Sequence, residues 1–137
     1  MKSIEQIQDE IIENFNIFDN WIEKYEYLID LGKELPEIDD EQKVDSNLIQ
    51  GCQSRVWLSA KKLNGKIIFT ADSDAIMTKG IIALLINVLS NQSAHDISNT
   101  DLYFINKIGL NEQLSATRAN GLSSMIKQMK IYALGLN

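Results

Sequence analysis

Apolar residues recur at helical spacing from the start of the chain, switch to every second position after Val56, and return to helical spacing from Ala75. Ile4, Ile7, Ile11, Phe15 and Phe18 share one stripe, with Glu5, Asp9, Glu10 and Glu13 between them. That spacing predicts a surface helix with one buried face. Ser3 and Gln6 stand as a capping box at its start. Asp19 or Asn20 is placed to cap a second helix carrying Trp21, Ile22, Tyr25, Leu28, Ile29 and Leu31. Gly32 is expected to loosen its end and Leu35-Pro36 to stop it. Residues 37–45 are acidic and without period, and read as a surface loop leading to the short apolar piece Leu48-Ile49.

Asn64-Gly65 is a strong hairpin signal, because both residues tolerate the positive φ of a type I′ turn. Centring the turn there sets Leu63 opposite Lys66, Lys62 opposite Ile67, Ala60 opposite Phe69 and Leu58 opposite Ala71. Val56, Leu58, Ala60, Ile67, Phe69 and Ala71 then share one face, which helices must cover. Asp72-Ser73-Asp74 ends the second strand and is expected to cap a helix over residues 75–89. That helix is apolar almost all round, as a central buried helix would be. Gly80 inside it implies close packing against a neighbour. Shorter helices are expected over residues 93–97 and 102–108, the latter ended by Gly109. Ser115 caps a last helix striped by Ala119, Leu122, Met125, Ile126, Met129 and Tyr132. The order predicts an α+β fold, a small antiparallel sheet packed by helices on one side, as a single domain over residues 1–137.

Composition narrows the classes. The chain has 137 residues, enough for a real core, and 45% of them are hydrophobic, which argues against disorder. A formal net charge of −6, with no basic stripe, disfavours nucleic-acid binding. The apolar run within residues 80–89 falls short of the roughly 20 residues a membrane-crossing helix needs. The first residues lack an apolar signal core, so the cytoplasm is the expected location. One cysteine excludes an internal disulfide and a dithiol oxidoreductase. With one cysteine and one histidine, His95, far apart, no metal site held by this chain alone is expected.

The chemistry centres on Ile49-Gln50-Gly51-Cys52-Gln53-Ser54. A glycine before a cysteine lets the backbone bend, placing the thiol on a loop just ahead of a strand. An unpaired cysteine can equally serve as a small buried hydrophobe. If reactive, Cys52 attacks as the thiolate, and Arg55 three residues on is placed to lower its pKa. With no second thiol to resolve it, any group it acquires must pass to another molecule. Arg118 lies in the first turn after Ser115, where the helix dipole penalises cations, so a partner is expected, either a structural carboxylate or an anionic ligand. Asp72 and Asp74 read as capping residues before an acid/base pair.

These residues resemble the SufE-type sulfur-acceptor proteins of cysteine desulfuration. The likeness lies in Ile49-Gln50-Gly51-Cys52-Gln53-Ser54 with Val56-Trp57, in Asp72-Ser73-Asp74-Ala75 with Lys79-Gly80, and in Leu114-Ser115-Ala116-Thr117-Arg118 with Gly121-Leu122. Trp21-Lys24-Tyr25 and residues 31–36 extend it to the second helix. The resemblance implies a SufE/IscU-like fold, with the cysteine at a loop tip. It implies that Cys52 takes sulfur as a persulfide from a SufS-type cysteine desulfurase and passes it to an iron–sulfur scaffold, activating the desulfurase. Pyridoxal phosphate belongs to that partner, and this chain is expected to carry no cofactor. Ala71 and Thr117 stand where the family more often has glycine and serine. Gln53-Ser54 looks more like the SufE branch than the CsdE paralogue. Gly51, Gln53, Asp74 and Arg118 are expected to support the loop or meet the partner. The other readings of the lone thiol are a redox sensor, whose thiol oxidises readily, and an inert binding domain. A persulfide needs protection from small thiols, so Cys52 is expected to be shielded at rest.

Overall fold

The computed structural model describes residues 2–137; Met1, included in the domain expected above, lies outside the described residues. The first two helices follow their sequence signals closely. Helix α1 (Ile4–Asn16) opens with both hydrogen bonds of the Ser3–Gln6 capping box. Helix α2 (Trp21–Lys33) is capped by Asn20, whose side-chain oxygen accepts from the Glu23 amide at 3.0 Å. The acidic connector is irregular apart from two 3-10 turns, Asp40–Gln42 and Asp45–Asn47.

Strands β1 (Val56–Leu63) and β2 (Lys66–Ser73) pair antiparallel in the register that the Asn64-Gly65 turn sets. Both turn residues have positive φ, 52° and 78°. Val56, Leu58, Ile67, Phe69 and Ala71 are buried on one face, while Ala60, nearer the turn, is half-buried. Helix α3 (Ile76–Leu89) packs against β2 on that face and against α2. Helices α4 (Ala94–Asn99), α5 (Phe104–Lys107) and α6 (Leu110–Gln113) lead to the long α7 (Ala116–Gly135), which Ser115 caps. Four-residue α6 is too short to show a period, so no sequence signal announces it. The fold is α+β, with one contiguous hydrophobic cluster running from Ile4 to Ala133.

Gly32 departs from expectation. It lies inside α2, with Glu34 as the C-cap, so it does not loosen the helix end. Its partner is Gly80: a Cβ built on Gly32 would stand 2.8 Å from the Gly80 nitrogen, and one on Gly80 would run into the Leu28 carbonyl. The two glycines let α2 and α3 cross almost backbone to backbone. This sets the height of α3 against the sheet, and with it the wall that α3 presents to the cysteine loop.

Candidate functional site

The loop that carries Cys52 is tied down at both ends. Leu48 bridges Trp57, and the Ile49 amide donates to the Val56 carbonyl at 2.9 Å. At the far side the Arg55 backbone is held three ways. Its amide donates to Asp74 Oδ1 at 3.0 Å, and its carbonyl accepts from the Ser73 hydroxyl at 2.8 Å and the Asp74 amide at 3.3 Å. Between these ties the chain turns at Gly51, where φ is +90°. The backbone angle favours glycine, and a Cβ there would also force Ser124 Oγ on α7, 2.6 Å away, to turn aside.

The tip places Cys52 half-buried against α7. Its thiol donates to the Gly121 carbonyl at 3.6 Å, an ordinary length for a weak sulfur donor. Burial pushes the thiol above its usual range, and no cation offsets that push. Arg55 therefore does not act as expected, since it serves through its backbone while its side chain is exposed. Beside the sulfur lies a cavity of about 70 Å³, lined by the loop (Cys52, Gln53, Ser54), by α3 (Thr78, Ile81) and by α7 (Thr117, Arg118, Gly121, Met125). A single water needs roughly 10–15 Å³ of such space, so an extra sulfur atom fits easily.

The other candidates sort themselves around this cavity. Gln53 and Arg118 are exposed on its rim. Arg118 makes no ion pair among the described residues, which overturns the structural carboxylate expected for it. Asp74 closes the loop. The helix cap expected from Asp72-Ser73-Asp74 is replaced by other duties: the N-cap of α3 is Ala75, with no side-chain bond, and only Ser73 turns back, accepting from the Ala75 amide at 3.2 Å. Asp72 instead joins Lys43 at 2.7 Å and Lys79 at 3.3 Å. Burial opposes its ionisation, but Lys43, the Ser73 amide and Lys79 together outweigh it and hold the carboxyl below its usual range. Lys43 also lies 5.5 Å from the Trp57 ring, so the connector is strapped to the sheet just behind the loop. His95 is exposed beside Ser3 and Glu5, apart from Cys52. Thr78 had no sequence signal, because an isolated threonine in an apolar helix does not announce which cavity it will line.

Removing one loop tie has a measurable consequence. Asp74→Ala leaves the Arg55 amide without its side-chain acceptor and is expected to cost about 1 kcal/mol. The loop should open more often, so alkylation of Cys52 should quicken by several-fold while urea unfolding shifts only slightly. Unchanged alkylation would mean the loop is held without Asp74.

Among the described residues no group of three or more His, Cys, Asp or Glu gathers as a metal would need, and no helix is long and apolar enough to cross a membrane. Residues 9–133 match the family model described as "SufE: Fe-S metabolism associated domain". An uncharacterized SufE-like protein of Rhizobium meliloti is 39% identical over 132 residues, covering 93% of this chain and 94% of that one. A second, of Rhizobium etli, is 40% identical over 127 residues, covering 89% and 86%. The solution structure of a hypothetical protein from Thermus thermophilus superposes with a TM-score of 0.78 over 95% of each chain, at 17% identity, which speaks for the fold alone.

Proposed function

The chain belongs to the SufE family, and from that premise we propose that it is a sulfur carrier whose Cys52 accepts persulfide sulfur from a cysteine desulfurase of the SufS type. The observation that carries the reading is a lone thiol at the tip of a pinned loop, over a cavity with room for one more sulfur. In the transfer, Cys52 loses its proton and its thiolate attacks the outer sulfur of the partner's persulfide. A new S–S bond forms on Cys52 as the old one breaks, and the partner's cysteine leaves as a thiolate. No net oxidant is needed, because the sulfur arrives already at the persulfide level.

The resting thiol is poorly set for this attack, being raised by burial and hydrogen-bonded to a carbonyl. Docking must therefore draw the loop out to where the thiolate forms more easily. The same feature argues against the redox-sensor reading, since sensor cysteines have low pKa values and open access. Gly51 shapes the loop, Asp74 holds it, and Gln53 and Arg118 on the rim meet the partner or its sulfur. Pyridoxal phosphate stays with the desulfurase, and this chain works without a cofactor as an accessory of that enzyme rather than an enzyme by itself. The loaded sulfur passes on to an iron–sulfur scaffold in the cytoplasm. Gln53-Ser54 supports the SufE branch over CsdE.

Desulfurase turnover tests the coupling. Alanine release from cysteine should rise several-fold when the chain is added and stay at the basal rate with Cys52→Ser. Equal stimulation by both proteins would remove Cys52 from the account.

A further inference from the structure

The walls of the cavity differ in kind. Gln53, Thr117 and Arg118 form an exposed rim, whereas the side chains of the deep wall belong to Thr78, Ile81 and Met125, which are 8%, 3% and 2% exposed. Thr78 is the single hydroxyl on that buried wall. Beside it the wall offers the Met125 thioether, a weak acceptor, and the Gly121 carbonyl, which already accepts from the Cys52 thiol; neither is a donor. Valine has nearly the same shape and would fill the position without burying a polar group. A threonine there makes sense when something polar enters the cavity from time to time.

We infer that the Thr78 hydroxyl donates a hydrogen bond to the terminal sulfur of the Cys52 persulfide, holding the cargo in the cavity between loading and delivery. The inference rests on the sulfur-carrier reading above and adds a residue to it. A persulfide is more acidic than a thiol, so its outer sulfur is an anion at neutral pH and takes a donor, which the other side chains of that buried wall do not supply. Bonding to that charge outweighs bonding to a neutral group. Arg118 supplies charge at the mouth, while Thr78 supplies direction at the base. When an acceptor thiolate attacks the outer sulfur, the S–S bond to Cys52 breaks, Cys52 leaves as a thiolate, and the sulfur departs with the acceptor. Thr78 keeps its proton throughout.

The test loads the full chain with sulfur from a desulfurase and cysteine, removes the desulfurase, and follows loss of the extra sulfur to glutathione by intact mass. Compared as loaded protein, Thr78→Val and Thr78→Ala should lose sulfur about tenfold faster than the unaltered chain, as the loss of one hydrogen bond to a charged group would give. Thr78→Ser, which keeps the hydroxyl, should stay close to the unaltered rate. Equal rates in all four proteins would overturn the role of Thr78. So would a fast Thr78→Ser, which would assign the effect to the lost methyl. Failure of the unaltered chain to load at all would strike the carrier reading instead, so the two failures are distinct.

Discussion

Gly80→Ala is expected to lower stability by about 2 kcal/mol, the balance of overpacking at a helix crossing against roughly 1 kcal/mol of gained helix propensity. The added methyl would meet the Leu28 carbonyl, a backbone atom that cannot swing aside, so α2 and α3 must separate. In a domain of this size that is a fall in Tm of about 5–10 °C. Gly32→Ala should behave alike, because its Cβ would press on the Gly80 backbone from the other side. The two substitutions act on one contact, so the double variant should lose less than the sum. Thermal unfolding of the three proteins checks this, and additive losses would mean the crossing is not the shared cause. The effect should also reach the site, since α3 carries Thr78 and Ile81 in the wall beside Cys52.

Cys52→Ser should abolish sulfur uptake outright while leaving the fold intact. A serine hydroxyl is not a nucleophile toward sulfur at neutral pH, and no other thiol exists in the chain to replace it. The substitution removes one half-buried sulfur and its weak bond to Gly121, so stability should change by no more than about 1 kcal/mol. It also removes a titration. Burial raises the Cys52 pKa in the folded chain, so the folded state holds this proton more tightly than the unfolded one. That contribution is fully present below the unfolded thiol pKa, and is lost as pH rises from there through the raised folded value. The unaltered protein should therefore lose stability relative to Cys52→Ser as pH climbs above about 8.5. Parallel urea titrations at neutral and alkaline pH would show it, and a constant difference would mean the folded thiol is not raised.

Much of the fold was legible because its signals are local. Asn64-Gly65 and the two-residue period around it set every pair of the hairpin, and Ser3, Asn20 and Ser115 each cap the helix they precede. Misreadings arose where a residue answers to something far along the chain. Gly32 reads as a loosened helix end until Gly80, a long way off, is seen against it. Asp72 reads as a helix cap, but Lys43 reaches it from the connector and wins by charge. Arg55 reads as a cation for the thiol, yet the loop uses its backbone and leaves its side chain exposed. Cys52 stood out because it is alone and follows glycine. Which wall it faces, and that Thr78 is part of that wall, depends on how α3 and α7 converge, and no spacing rule carries that.

The central claim is that Cys52 carries sulfur, and intact mass tests it most directly. The purified chain is incubated with a cysteine desulfurase and cysteine, then weighed without reductant. The expected result is a gain of one sulfur that disappears on reduction and never forms in Cys52→Ser. No gain, with the desulfurase turning over normally beside it, would contradict the account.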